Sequence, residues 1–180
     1  GRHGKDGMDS VDTLYANTRN NPVEDIETHV PLRVNRYELR DDACPAGRWR
    51  GGIGSIKEIE FLAAGTAGSE GDGHAHPAWG IDGGHHGVPS RTVLRRADGR
   101  EEDLPSMMAA HPAAAGDAFI CIGGSGGGYG DPRERPAAQV LEDVLDGYLD
   151  RAAAERDYGV VITEAMTLDE AATARLRAGG

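Results

Sequence analysis

The sequence predicts an α+β fold that is mainly β: an antiparallel β-sandwich or partial barrel followed by a C-terminal helical tail. Three observations point there. Short apolar runs recur between residues 30 and 122, separated by Gly, Pro and Asp turns. After Pro136 the period changes, and Val140, Leu141, Val144, Leu145, Tyr148 and Leu149 form one helical stripe. Between the two regions lies a loop in which six of the eight residues from 123 to 130 are glycine. The chain therefore divides into an irregular segment (1–29), a β-rich region ending in the glycine loop (30–132) and a helical tail packed on it (133–180).

Residues 1–29 lack periodicity, and the Asn21-Pro22 step disfavours helix before it. Residues 30–40 alternate as a half-buried strand. Val30, Leu32 and Val34 share one parity while Tyr37 and Leu39 take the other, so a bulge is expected near Asn35-Arg36. A second strand is expected over 53–62, then a mobile surface loop over 63–73. Asp98-Gly99 between two runs signals a hairpin. Met107 to His111 and Ala118 to Ile122 read as two further strands, with Cys121 a small buried residue.

In the tail, one helix is expected over 137–149, with Pro136 where its missing N–H costs nothing. A short helix over 152–158 is closed by Gly159. Val160 to Ile162 reads as a buried strand, and Thr167-Leu168-Asp169-Glu170 as a capping box opening a last helix to about Arg177.

Composition excludes several classes. A net charge of −11 disfavours nucleic acid, which selects a basic face. No apolar run is long enough to span a membrane. Cys44 and Cys121, far apart in sequence, suit reduced thiols of a cytoplasmic protein. The polar, glycine-rich opening reads as the continuation of a missing upstream part.

Three phosphate-binding or catalytic templates come near the glycine loop. A Walker A loop needs Gly-Lys-Ser/Thr, and no lysine follows Lys57. The dinucleotide fingerprint fails in both registers, because Tyr129 or Asp131 stands where its third glycine belongs. Gly123-Gly124-Ser125-Gly126-Gly127 does satisfy G-x-S-x-G, but a nucleophile elbow enters a helix at once and here glycines and Pro132 follow. The loop reads instead as a close-packing element, and the catalytic residues stay unknown. His74, His76, Asp82, His85 and His86 are candidate metal ligands by type, on a segment whose glycines and prolines fix no geometry. Asp9, Asp12, Glu24, Asp25 and Glu27 read as solvated surface charge.

Several longer stretches carry a family resemblance. They are Asn17-Thr18-Arg19-Asn20-Asn21-Pro22, residues 31–40, Gly47-Arg48-Trp49-Arg50-Gly51-Gly52, Pro77-Ala78-Trp79-Gly80, Gly126-Gly127-Gly128-Tyr129-Gly130-Asp131-Pro132 and Asp157-Tyr158-Gly159. Together they resemble, collinearly, the C-terminal portion of the hydantoinase B/oxoprolinase family. The resemblance implies part of a B-type subunit of an ATP-dependent cyclic-amide hydrolase, opening 5-oxoproline or hydantoin rings through a phosphorylated intermediate. It also leaves open a component of a related ketone carboxylase, or a non-catalytic assembly module. It implies ATP with Mg on an A-type partner subunit or domain and a divalent metal in the upstream part, whose ligands cannot be carried onto this chain. It implies a small cyclic-amide substrate, an oligomer and an inactive isolated chain. Asn17, Thr18, Arg19 and Asn20 are the candidate cleft residues, Arg19 being able to hold a carboxylate or phosphate bidentately.

Overall fold

A computed structural model describes residues 1–11, 19–42 and 44–179. Five strands form one antiparallel sheet: β1 (Leu32–Leu39), β2 (Ser55–Phe61), β4 (Arg91–Arg95), β5 (Glu101–Leu104) and β7 (Ala118–Ile122). Their order is β1-β2-β7-β4-β5. A second, two-stranded sheet pairs β3 (Gly65–Glu70) with β6 (Met107–Ala113). Neither sheet closes, and the architecture is the mainly β, α+β one expected, with two open antiparallel sheets. The hairpin turn falls on Asp98-Gly99 as expected, with Arg96 and Arg100 bonded across it.

The bulge in β1 sets the side-chain pattern. Val34 pairs with Ile59 but Arg36 pairs with Glu58, leaving Asn35 as the extra residue. Parity resets there, and Leu32, Val34, Tyr37 and Leu39 come to one face. One end of that face is covered by the small sheet. Phe61, Leu94, Leu104 and Phe119 bury against Ala67 and Ala113, with Leu32 and Met108 at the margin. At the other end, beyond the small sheet, Tyr37, Leu39 and Cys121 are exposed. Cys121 is therefore not the buried residue its apolar neighbours suggested: strand alternation turns it away from Ile120 and Ile122, beyond the reach of the small sheet. On the opposite face Ile56, Val93 and Ile120 cluster, and Glu58 pairs with Arg95 there.

Two expectations fail for non-local reasons. Residues 65–70 form β3 rather than a mobile loop, because β6, some 40 positions on, supplies the partner that their composition does not advertise. Residues 23–29 form a helix, α1 (Val23–His29), within the segment expected to be irregular. It buries no residue, so no apolar stripe marks it; the Glu27 carboxylate ties it to β1 through the Val34 N–H.

The glycine loop is a stacking element. Extended segments 46–54 and 78–88 flank it and bond to it directly. Trp49 and Tyr129 exchange backbone bonds at 2.9 and 3.0 Å, Gly126 N–H donates to Gly52 O, and Gly128 N–H donates to His85 O. A Cβ on Gly127 would lie inside the envelope of the Trp79 carbonyl, and one on Gly128 inside that of Ala46. Only Gly130 in this stretch needs a positive φ. Close approach, rather than conformational freedom, is what these glycines supply.

The tail packs as a small helical layer. A 3-10 turn (Pro132–Glu134) leads into α2 (Ala137–Leu145), α3 (Arg151–Tyr158) and α4 (Glu170–Ala178). Val140, Val144, Leu149, Ala154, Tyr158, Val160 and Ile162 bury with Ala46. α2 stops at Leu145, short of the expected residue 149, because Gly147 takes φ +79° and Tyr148 N–H bonds back to Asp143 O. Leu149 stays in the core although it has left the helix. Gly159 closes α3 in the left-handed conformation, as expected. Residues 160–162 form no strand beyond one isolated bridge, Ile162 to Leu168. Asp169, not Thr167, caps α4 by accepting from the Ala172 N–H at 2.8 Å.

The loop geometry gives a graded test. Gly127→Ala places a methyl group against backbone, whereas a Cβ on Gly126 would approach Gly52 N at 3.3 Å. Urea unfolding should show Gly127→Ala destabilised by at least about 2 kcal/mol more than Gly126→Ala. Equal effects would contradict the stacked geometry.

Candidate functional site: a glycine-lined cleft over a buried arginine–aspartate network

Four parts of the chain converge on Arg50, Arg135, Asp6, Asp9 and Asp143. Arg135 is 2% exposed. Its guanidinium bonds Asp143 through Nε (2.9 Å) and Nη2 (3.2 Å), and Asp6 through Nη1 (2.8 Å) and Nη2 (2.9 Å). Nη1 also donates to the Arg48 carbonyl. Arg50 takes Asp9 as a fork at 2.8 and 3.2 Å and stacks its guanidinium 4.2 Å from the Tyr148 ring centroid. Its Nε lies 3.5 Å from Asp143 Oδ1 without a hydrogen bond. Asp6 and Asp9 also accept from the backbone N–H groups of Arg50 and Ile53. The planar forks explain why both cations are arginine.

The electrostatics differ within the network. Burial pushes Asp143 above the usual carboxylate range despite both arginines. Burial acts on Asp9 in the same sense, but the Arg50 fork and the Ile53 N–H outweigh it and hold Asp9 low. Cys44, beside this cluster, is raised to about 12 by burial and stays a thiol. Tyr158 is fully buried and its hydroxyl is likewise raised by burial.

This network pins residues 6–9 along segment 50–53, and a cleft of about 410 Å³ opens beside them. Gly7, Met8, Ser10 and Val11 form one wall; Gly52, Ile53, Gly54 and Ser55 form the floor; Gly123, Gly124 and Gly126 close it. The lining is mostly main chain, and the volume suits a small molecule.

The candidate residues fall in different places. Asn17 and Thr18 lie outside the described residues, as does Asp12. Arg19 is exposed, and Asn20 donates through Nδ2 to the Tyr37 hydroxyl at 2.7 Å. Ser125 is buried, and its Oγ accepts the Val88 N–H at 2.7 Å, so it pins segment 78–88 to the loop. His74 Nε2 contacts Thr92 Oγ1, and His86 Nδ1 accepts from the Gly80 N–H. His76, Asp82 and His85 are exposed. Among the described residues, no three His, Cys, Asp or Glu side chains converge to hold a metal ion. Asp9, read from sequence as surface charge, is instead a structural anchor. Its partner lies 41 positions away, so no local spacing signalled the pair.

Stacked glycine segments locked by buried arginines define a class of β-rich module, and comparison with known proteins places it. The family model for hydantoinase B/oxoprolinase matches residues 1–132. A Pseudomonas sp. (strain NS671) protein, provisionally named as the B-type subunit of a D-/L-hydantoinase, is 51% identical over 178 residues, covering 98% of this chain and 30% of that protein. The beta subunit of the Pseudomonas jessenii caprolactamase is 37% identical, covering 87% of this chain and 28% of the relative. The crystal structure of the ATP-dependent caprolactamase from that organism superposes with a TM-score of 0.73 at 35% identity, over 88% of this chain and 28% of its own. An acetone carboxylase structure shares the fold with a TM-score of 0.79 at 21% identity, over 97% of this chain and 28% of its own. The chain belongs to the hydantoinase B/oxoprolinase family, and it spans under a third of the length of these relatives. Among the described residues no helix is long and apolar enough to cross a membrane.

The network makes stability pH-dependent with a defined sign. The folded value of Asp9 lies below its unfolded 3.8, so its stabilisation is complete above 3.8 and is lost as pH falls through the folded value. Asp143 acts oppositely: its folded value lies above 3.8, so protonation on acidification relieves its burial penalty. Asp9→Asn should therefore show a shallower loss of unfolding free energy between about pH 4 and pH 2 than wild type. An unchanged slope would remove Asp9 from the account.

Proposed function

We propose that this chain is the C-terminal part of a B-type component of an ATP-dependent cyclic-amide hydrolase in the cytoplasm. The observation that carries the reading is the near-complete coverage of this chain by relatives named as the B-type subunit of a hydantoinase and the beta subunit of a caprolactamase. A ring amide is a poor electrophile. Phosphorylating its oxygen creates a leaving group, and the activated ring then opens to water. In this reading an A-type partner binds ATP with Mg and transfers the phosphoryl group, and a divalent metal belongs to another part of the B-type polypeptide. Among the described residues no side-chain cluster fits a metal.

This chain's share is shape and orientation. The glycine-lined walls give an open recess, and the buried arginine network fixes the segment that forms one wall. In this reading Arg19, exposed beside Asn20, pairs with a carboxylate or phosphoryl group.

The test is turnover by the assembled B-type component with its A-type partner. ATP hydrolysis should depend on a cyclic amide such as 5-oxoproline, a hydantoin or caprolactam. Arg19→Ala should lower kcat/KM about tenfold or more, while the isolated 180-residue chain turns over neither ATP nor amide. ATP turnover that requires bicarbonate and a ketone would establish the carboxylase reading instead. An assembly that is fully active without this chain would leave it a docking module.

A further inference from the structure

A donor-rich constellation sits at the exposed end of the sheet face described above. Lys57 of β2 pairs across the sheet with Tyr37 of β1 and Cys121 of β7, so all three side chains share that face. Lys57 Nζ lies 5.1 Å from the Tyr37 ring centroid. The Tyr37 hydroxyl oxygen accepts from Asn20 Nδ2 at 2.7 Å. An oxygen that accepts this bond directs its own proton elsewhere, and among the described residues no acceptor takes it.

The lysine stands out by charge. The four arginines within strands all have carboxylate partners: Arg33 with Glu60, Arg36 with Glu38, Arg91 with Asp103 and Arg95 with Glu58. Among the described residues Lys57 has none, in a chain of 30 acidic residues. Strand alternation gives the reason. Glu58 and Glu60 lie on the opposite face, and the neighbours of Lys57 on its own face are Leu39, Ser55, Ile59 and Cys121. Nor does Cys121 neutralise it, because an ordinary exposed thiol is mostly protonated at neutral pH.

The ammonium, the phenolic O–H and the remaining amide N–H of Asn20 are complementary to an oxyanion. Ser55, two residues from Lys57 and on the same face, lines the glycine cleft. Two strand residues span about 7 Å, which a small ligand bridges readily.

We propose that Lys57, Tyr37 and Asn20 form an oxyanion-binding subsite beside the glycine-lined cleft, taking the carboxylate or phosphoryl group of a small ligand. The bulge at Asn35 creates it, because without the parity reset Tyr37 would lie on the far side of the sheet. The subsite follows from the geometry of these residues and does not depend on the ring-opening reading.

Backbone-amide NMR titration of the 180-residue chain with inorganic phosphate, and separately with acetate, tests it at low salt. Saturable shifts should centre on Asn20, Tyr37 and Lys57. Lys57→Gln should weaken binding about tenfold or more, and Lys57→Arg should retain it. Tyr37→Phe, which removes only the hydroxyl, should weaken binding with an otherwise unchanged spectrum. Saturation by phosphate alone assigns a phosphoryl group, and by acetate alone a carboxylate; saturation by both assigns a site that reads charge. No saturable shift with either anion overturns the proposal, as does Lys57→Gln binding like wild type. The readout needs neither ATP nor turnover, so its failure is distinguishable from failure of the hydrolase reading.

Discussion

The Arg135 guanidinium is the interaction on which the rest depends. It joins Asp6 of the first segment, the Arg48 carbonyl of the second glycine-rich segment and Asp143 of α2, and its own carbonyl accepts from Arg177 of α4. Arg50 repeats the device with Asp9. Replacing such a cluster with apolar residues can be neutral, but removing one member strands a buried charge at a cost of about 3–5 kcal/mol. The network therefore contributes registry more than net stability. It specifies which segments lie beside which, where stacked glycines have no side chains to do so.

That specification is needed because the glycine layers have little other means of choosing a partner. Ordering each residue costs about 1–2 kcal/mol of backbone entropy, and glycine loses the most freedom. What offsets this is dense main-chain bonding among segments 46–54, 78–88 and 123–130, with the Ser125 hydroxyl tying 78–88 to the loop and the Asp9 carboxylate tying the first segment to 46–54. A cleft walled by such backbone leaves little room for its sides to shift.

The parts of this architecture legible in the sequence were those with local causes. The Asp98-Gly99 hairpin, the Gly159 stop and the bulge at Asn35 each follow from a turn residue or a broken alternation within a few positions. The β3–β6 sheet was not legible, since its small, polar strand acquires meaning only from a partner far along the chain. Helix α1 was missed because a helix that buries nothing leaves no periodic trace. The proposed subsite divides in the same way. Family-like motifs drew attention to Asn20, whereas Lys57 drew no notice because its lack of a counter-charge among the described residues is visible only once the strands are paired.

Charge network and glycine stack should act as one cooperative body that includes the first ten residues. Native-state hydrogen exchange tests this most directly. The Gly7 and Ser10 amides donate to Arg50 and Ile53 carbonyls, and the Gly126 and Gly128 amides donate to Gly52 and His85. The account predicts that these four amides exchange with a common opening free energy, shared with the α2 amides around Val144. Gly7 and Ser10 exchanging freely while the others remain protected would contradict it.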